Sequence, residues 1–455
     1  MWDVEAHLST IPTFHSPNCL AELSSTMTYT EKKKKVDLVV IGAGLAGMAA
    51  ALFAVDRGFK TVLVGSTVGE ILFASGALDL LGIYPVEQQN RWENPWAGIS
   101  SLIQDWPEHP YARLGLENIR NGWHKFLDIL YRAGLLYRGW PERNVWLATC
   151  AGTVKITHQV PETMWPGVIG LQEKLATLIV DFEGMKDFSA IQMVKTLGSR
   201  WPGLRAQRLK FPYPLKGVDR QNVFMAEALR SPEVRARMAD TLRSSLEGED
   251  LVGMPAILGL RQSQAVAAEL EDQIGVPVFE IPTMPPSVPG LRLKEAIEQE
   301  LLRCGAVLMQ GKRAVAIKQN GSKCVSVVVH SEQLRETVET RGIVLATGRF
   351  LGGGLVADGS TIREALLDLP VLQPGQRQDW HLQSFLDPRG HPVNRAGLEV
   401  DDFLRPLAAD GRCACENLFV AGSLLAHQDW KRMKCGSGLA VATAYGAVRS
   451  FINLC

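Results

Sequence analysis

Val36–Ile41 runs straight into Gly42-Ala43-Gly44-Leu45-Ala46-Gly47 and then into an alanine-rich apolar stretch ending near Gly58. A chain with that order has few choices. A strand must turn tightly through GxGxxG and leave as a helix, the opening of a dinucleotide-binding βαβ unit. Gly42 permits the tight turn, Gly44 lets backbone approach a pyrophosphate, and Gly47 lets helix and strand pack closely. The phosphate then meets the free N–H groups and the positive dipole end of an amphipathic helix. The same stretch, Leu38 to Val55, carries no charge and follows Lys32–Lys35, which resembles a membrane span of at least about 17 residues with a basic flank. The three glycines, placed where a strand becomes a helix, favour the soluble reading. No direct transmembrane segment is expected. The lysine run is read as the solvated lip of the first strand, with a membrane or partner contact as the lesser alternative. Residues 1–34 lack a signal-peptide apolar core, and Asp3, Glu5, Pro12 and Pro17 fit a disordered extension that translation from Met27 would mostly remove.

The second strand, Thr61–Val64, should end on an acid that binds an adenosine ribose, but it ends on Gly65-Ser66, and Glu70 comes several residues late. That departure counts against NAD and weakens the adenosine half of an FAD site. Two later segments point to flavin. Gly342–Leu345 closes in the turn Ala346-Thr347-Gly348, after short β runs at Arg313–Lys318 and Cys324–His330 joined through Asn320-Gly321. Asn417–Ala421 closes in Gly422-Ser423, and Gly436-Ser437-Gly438 opens a final small-residue helix whose N–H groups suit a reduced flavin ring.

With 455 residues the chain holds two or three domains, and 46% hydrophobic with 21% charged residues is an ordinary globular composition. Forty-eight basic residues balance 48 acidic ones, so no global field draws the chain to nucleic acid. None of the eight cysteines forms a CxxC pair, which argues against zinc ribbons and iron–sulfur clusters, and no metal site is expected. Cys413 and Cys415 are read as incidental thiols of a reducing cytosol. No internal repeat or low-complexity tract stands out.

The glycine-turn set resembles the two-dinucleotide-binding flavoproteins related to fumarate reductase. More narrowly, Phe73-Ala74-Ser75-Gly76-Ala77-Leu78-Asp79-Leu80-Leu81, His109-Pro110-Tyr111, the proline-rich block Pro282–Leu293, Gly352–Ala357 and Ile362-Arg363-Glu364 resemble the B-subunit family of anaerobic glycerol-3-phosphate dehydrogenases, from about Val36 to the C-terminus. The resemblance implies an α/β, Rossmann-like FAD/NAD(P)-binding fold and a flavin, FMN favoured and FAD possible. It adds Ser75 and Gly76 to the cofactor-binding residues Gly42, Ala43, Gly44, Leu45, Ala46, Gly47, Ala346, Thr347, Gly348, Gly422, Ser423, Gly436, Ser437 and Gly438. The implied reaction oxidises sn-glycerol 3-phosphate to dihydroxyacetone phosphate, with electrons passing to quinone and finally to fumarate or nitrate. The implied partners are a flavoprotein of the A-subunit type, which resembles the conventional substrate-oxidising enzyme, and an iron–sulfur membrane-anchoring subunit. This chain would relay electrons or support its partner on the cytoplasmic face of the membrane. The alternatives are a stand-alone flavin oxidoreductase acting on another small molecule, a non-catalytic nucleotide-binding module, and a plain NAD dehydrogenase.

Both ends of the chain (35–84 and 312–455) are expected to build the flavin-binding domain, with an α/β cap inserted at 85–311. Eight of 11 tryptophans lie between Trp92 and Trp201, as cap packing or as a docking face. The proline-rich block reads as a rigid crossing into a helix running to about Arg303. It either holds Arg292 toward a flavin or an anionic ligand, or leaves it solvated. Arg363, with Glu364 as a ready ion-pair partner, has the same ambiguity. His109 belongs to a matched motif, while His381, His391 and His427 fall where the ring should lie. His109, Arg292, Arg363 and His381 are the candidate catalytic groups, and spacing alone does not place a base.

Overall fold

Apolar runs too short for helices set the central layer. In the computed structural model, which describes residues 33–67, 69–213, 221–331 and 335–455, they form β1 (Leu38–Ile41), β2 (Thr61–Gly65), β3 (Val307–Gln310), β4 (Gly342–Leu345) and β5 (Leu418–Val420). All pair in parallel, in the order β3-β2-β1-β4-β5. Val39 stands opposite both Val62 and Ile343, and Ile343 opposite Leu418, so the two ends of the chain interleave in one sheet. Apart from the edge strand β3 every residue of these strands is buried, as a parallel sheet covered on both faces requires.

Helix α1 (Leu45–Val55) leaves the glycine turn, and helix α2 (Gly436–Leu454) closes the chain against it. Phe53 of α1 meets Tyr445 of α2 edge-on at 5.3 Å and Phe126 of the helix Leu116–Arg132 at 6.5 Å. The expected amphipathic character of α1 is overturned: Ala46 to Val55 are all buried. Its alanines are small enough for neighbours to close in from every side, and a helix covered all round needs no polar face.

The small antiparallel element ahead of β4 is a meander of Arg313–Asn320, Lys323–His330 and Arg335–Glu339, turning through Gly321. Lys33–Lys35 joins its edge in parallel, Lys33 opposite Thr337 and Lys35 opposite Glu339. This corrects the reading of the lysine run as the lip of the first strand: it belongs to a different sheet. Residues 33 and 34 are therefore strand. The rest of the expected extension, residues 1–32, lies outside the described residues.

The middle of the chain builds a second parallel sheet in the order Val278–Ile281, Leu251–Pro255, Thr177–Phe182, Leu204–Leu209. It is flanked by helices that include Pro232–Arg243 and Ser263–Ile274. It has its own core around Phe182, Met238 and Trp201, whose ring stacks on Phe279 at 6.1 Å. The helices Pro95–Asp105, Pro110–Leu114 and Leu116–Arg132 pack instead into the first core, with Trp96 and Trp123 fully covered. The tryptophans thus serve mainly as packing; among the described ones Trp140 and Trp146 alone are exposed.

Cys415 finds its neighbour in Cys324, Sγ to Sγ 2.9 Å and both buried, rather than in Cys413 two residues away. Among the described residues no helix is long and apolar enough to cross a membrane.

Candidate functional site

Where β1 ends, the chain must turn within a residue. Gly42 does so at φ +118°, and a Cβ there would lie 2.1 Å from the Ala346 carbonyl oxygen. Its N–H is donated to the Val64 carbonyl at 2.8 Å, which ties the turn to the end of β2. A Cβ on Gly47 would fall 1.7 Å from the Gly42 carbonyl oxygen, so helix and turn touch backbone to backbone.

The C-terminal ends of the strands open on a cavity of about 1050 Å³. Its lining includes Gly42, Ala43, Gly44, Leu45, Ala46, Ser75, Gly76, Ala346, Thr347, Gly348, Ser423, Gly436 and Ser437, thirteen of the cofactor-binding residues read from the sequence. The other three are packing residues. Gly47 meets the turn, and Gly422 gives its N–H to Thr443 Oγ1 at 2.8 Å. Gly438 lies against Leu80 and the Tyr111 hydroxyl and donates to the Asp79 carbonyl at 2.7 Å.

The lining fits a flavin nucleotide. A Cβ on Gly44 would meet nothing within 4 Å, so the turn leaves room at the first residues of α1, whose N–H groups have no intrahelical partner. Thr347 Oγ1 is buried on the cavity wall without a partner among the described residues, a polar atom that a ligand would satisfy. The block 282–293 holds the opposite wall. Ser287 N–H donates to the Leu72 carbonyl at 3.0 Å, and Gly76 and Gly290 sit so close to Pro289 and the Ile71 carbonyl that neither has room for a side chain.

Sequence reasoning missed the charged part of the lining: Glu70, Asp79, Lys155, Lys312, Arg313, Arg349, Lys431 and Glu364. Glu70, too late in the sequence to cap β2, still reaches the cavity from a short 3₁₀ turn at Glu70–Phe73. Asp79 Oδ1 accepts from Lys155 Nζ at 2.8 Å and from Thr157 Oγ1 at 2.7 Å. Asp79 lies within the Phe73–Leu81 motif, but nothing in the sequence announces a partner 76 or 78 positions away. Burial pushes the Lys434 ammonium below its ordinary value, with Asp79 pulling it up and Lys155 pushing it further down.

The four candidate catalytic groups lie elsewhere. Arg292 is buried and clamped by Glu280, Nη1 to Oε2 at 2.5 Å and Nη2 to Oε1 at 2.7 Å, with Nε donating to the Gly259 carbonyl at 2.7 Å. It is neither solvated nor turned to the cavity: Nε, Nη1 and Nη2 each donate to a partner inside the fold. Arg363 is exposed and pairs with Asp358 across a hairpin at 3.6 Å. Its expected partner Glu364 points the other way, as strand alternation requires, and accepts the Leu366 and Leu367 N–H groups. His109 is buried and caps the helix Pro110–Leu114 through Nδ1. His381 is exposed against His391, and His427 pairs with Glu399 at 3.2 Å. None of these histidines lines the cavity.

The chain is similar to known proteins over most of its length. Residues 37–439 match the family described as FAD binding domain. The chain is 30% identical over 432 residues to the B-subunit of the anaerobic glycerol-3-phosphate dehydrogenase of Vibrio cholerae, covering 91% of this chain and 96% of the relative. It is also 30% identical over 424 residues to the probable B-subunit of the anaerobic glycerol-3-phosphate dehydrogenase of Halobacterium salinarum, with 90% and 96% covered. Among solved structures, the 3-ketosteroid delta1-dehydrogenase of Sterolibacterium denitrificans is similar at 11% identity and a TM-score of 0.45, with 93% of this chain and all of that one aligned. The chain belongs to the FAD-binding-domain flavoproteins and, within them, to the B-subunit family of the anaerobic glycerol-3-phosphate dehydrogenases.

Proposed function

We propose that this chain is a flavin-bearing subunit of an enzyme that oxidises glycerol 3-phosphate, and that its flavin is FAD rather than the FMN favoured by sequence resemblance. One observation carries the choice: the cavity runs along the whole C-terminal edge of the five-stranded sheet. On one side of the glycine turn lie Ser423, Gly436, Ser437 and, hydrogen-bonded to the start of α2 through its carbonyl, Asp79, next to β4 and β5. On the other side lie Gly65, Ser66, Thr67, Glu70 and Lys312–Val315, next to β2 and β3. Four steps of about 4.8 Å make that edge about 19 Å long. A mononucleotide with its phosphate at Gly44 and its ring under α2 would leave the β2–β3 half of the cavity empty, and a dinucleotide occupies both halves.

In this reading Gly42–Ala46 hold the pyrophosphate by backbone N–H groups and dipole. Gly436 and Ser437 present the first N–H groups of α2 to the ring. Ala346–Gly348 close the floor between them, and Thr347 Oγ1 gains a partner. When bound, the flavin supplies a ring that accepts an electron pair from a donor and passes it on. The B-subunit name of the relatives implies further subunits, for which a flavoprotein of the A-subunit type and an iron–sulfur membrane-anchoring subunit are the proposed partners, with quinone as acceptor. Among the described residues no group of three or more His, Cys, Asp or Glu could hold a metal ion.

Denaturing the purified chain and identifying the released flavin by chromatography tests the reading. FAD is the expected product. FMN would overturn the dinucleotide assignment, and a protein that takes up no flavin would overturn the whole of it.

A further inference from the structure

The cavity is built almost wholly from the two ends of the chain. Among the described residues, Lys155 and Leu293 are its only lining residues from the stretch 85–311. Lys155 is therefore the single charge that the middle of the chain brings to the site. It stands on the strand Val154–Thr157, paired with Val145–Ala148, where Lys155 and Thr157 share a face and both reach Asp79 Oδ1.

The local charges do not cancel. Asp79 faces two ammonium groups, Lys155 in contact at 2.8 Å and Lys434 close enough to feel its field, and Lys434 makes no ion pair among the described residues. Lys434 also feels Asp429 and Arg432, so two carboxylates stand against three cationic groups and one positive charge is left over, with the Lys155 and Asp79 side chains only 26% and 14% exposed. A partly desolvated surplus charge of this kind favours an anion. Lys155 also has donor capacity in hand: of its three N–H groups, one serves Asp79 and one lies 3.4 Å from Ser75 Oγ. Gly436 and Ser437, at the start of the 19-residue α2, line the same cavity.

We propose that Lys155, held by Asp79 and supported by Lys434, receives the oxyanion of a small substrate, a phosphate monoester or a carboxylate, beside the flavin. The assignment rests on the flavin reading above and adds a substrate-binding residue to it. Asp79 and Thr157 are positioning residues, which fix the Lys155 head without touching substrate.

Calorimetric titration of the flavin-loaded full chain with glycerol 3-phosphate and with succinate tests it, the tighter binder giving the oxyanion class. Lys155→Gln should weaken binding at least ten-fold, and Lys155→Arg should recover most of the loss. Asp79→Asn removes the opposing charge while its amide oxygen can still accept from Lys155, and should tighten anion binding. A merely structural ion pair would make Lys155→Gln and Asp79→Asn weaken binding alike, and that result overturns the proposal, as does the absence of binding to wild type. Flavin content and melting temperature of each variant report folding. A protein that takes up no flavin overturns both readings, whereas a flavin-bearing protein indifferent to Lys155→Gln overturns this one alone.

Discussion

The molecule contains two parallel sheets built by the same rules, and they treat their C-terminal edges in opposite ways. In the central sheet the loop after β1 is Gly42-Ala43-Gly44, and the strand ends open on a cavity. In the second sheet the corresponding edge is closed by side chains. Glu280 of the strand Val278–Ile281 accepts from Thr163 Oγ1 at 2.6 Å, from the Leu258 N–H at 2.7 Å and from both ends of the Arg292 fork. Leu258 and Gly259 follow the strand Leu251–Pro255, where an open α/β sheet ordinarily binds its ligand. An internal carboxylate thus stands where a ligand's anion would, with its own arginine. Architecture alone does not make a site; what decides is whether the chain fills the strand ends itself.

The sharpest way to break that contrast is to fill the open edge. Gly44 has extended backbone, φ −77° and ψ 179°, which valine also adopts, and its Cβ position is free of neighbours. Gly44→Val should leave the stability of the flavin-free protein within about 0.5 kcal/mol of wild type. It should weaken flavin binding more than about 100-fold, a loss of about 2.7 kcal/mol or more. Flavin per chain and the melting curve of the flavin-free form check both halves. Full flavin occupancy in this variant would mean that the cofactor does not sit at the turn.

The reciprocal experiment opens the closed edge. Removing one member of a fully buried pair strands the other, so Glu280→Ala or Arg292→Ala should cost about 3–5 kcal/mol of stability, read by urea unfolding. Replacing both by apolar residues of similar size, Glu280→Met with Arg292→Leu, should recover most of that loss. Flavin content of the folded fraction should not change in any of these variants. An Arg292 variant of normal stability that lost its flavin would restore Arg292 as a ligand-facing group.

The same contrast explains what could be read beforehand. An open edge is written in backbone demands, and those are local: Gly42 needs its positive φ and Gly47 its bare Cα whatever the rest of the chain does. The strands ending at Ile41, Leu345 and Val420 are legible for the same reason, as short apolar runs stopped by glycine turns. A closed edge is written in side-chain pairings, which are not local. On sequence, Arg292 suits a ligand or water equally well, because nothing in the proline-rich block names Glu280 as its partner. Lys155 carries no signal, since Asp79 and Ser75 reach it only after the middle of the chain has folded back. Arg363 pairs with Asp358 and not with the expected Glu364 because adjacent strand residues face opposite ways, leaving Asp358, across the hairpin, as the one within reach.

Acid should separate the two cores. His109 and His158 sit in the first one, against Trp106 and Tyr111 and against Trp96 and Trp123. Burial pushes His109 from 6.5 down to about 3, helped by His427 and Arg395, and pushes His158 down to about 4. Both are neutral in the fold, and the unfolded chain protonates them below about pH 6.5, so their contribution is complete above that pH and shrinks as pH falls. The slope is about 1.4 kcal/mol per pH unit for each histidine until the folded value is reached. Glu280 behaves differently: burial pushes its carboxyl up, but Arg292, Thr163 and the Leu258 N–H outweigh burial and hold it below 4.5. Its contribution persists until pH drops below that value. Between pH 6.5 and 4.5 the first core should therefore weaken while the Glu280–Arg292 closure does not. His109→Asn retains an acceptor for the Tyr111 N–H without a titrating ring. It should remove about half of the stability lost between pH 7 and pH 5.5, with urea midpoints at the two pH values as the measure. If His109→Asn and His158→Gln together leave that loss unchanged, acid acts elsewhere than on these buried rings, and the two cores do not differ in the way their titrating groups require.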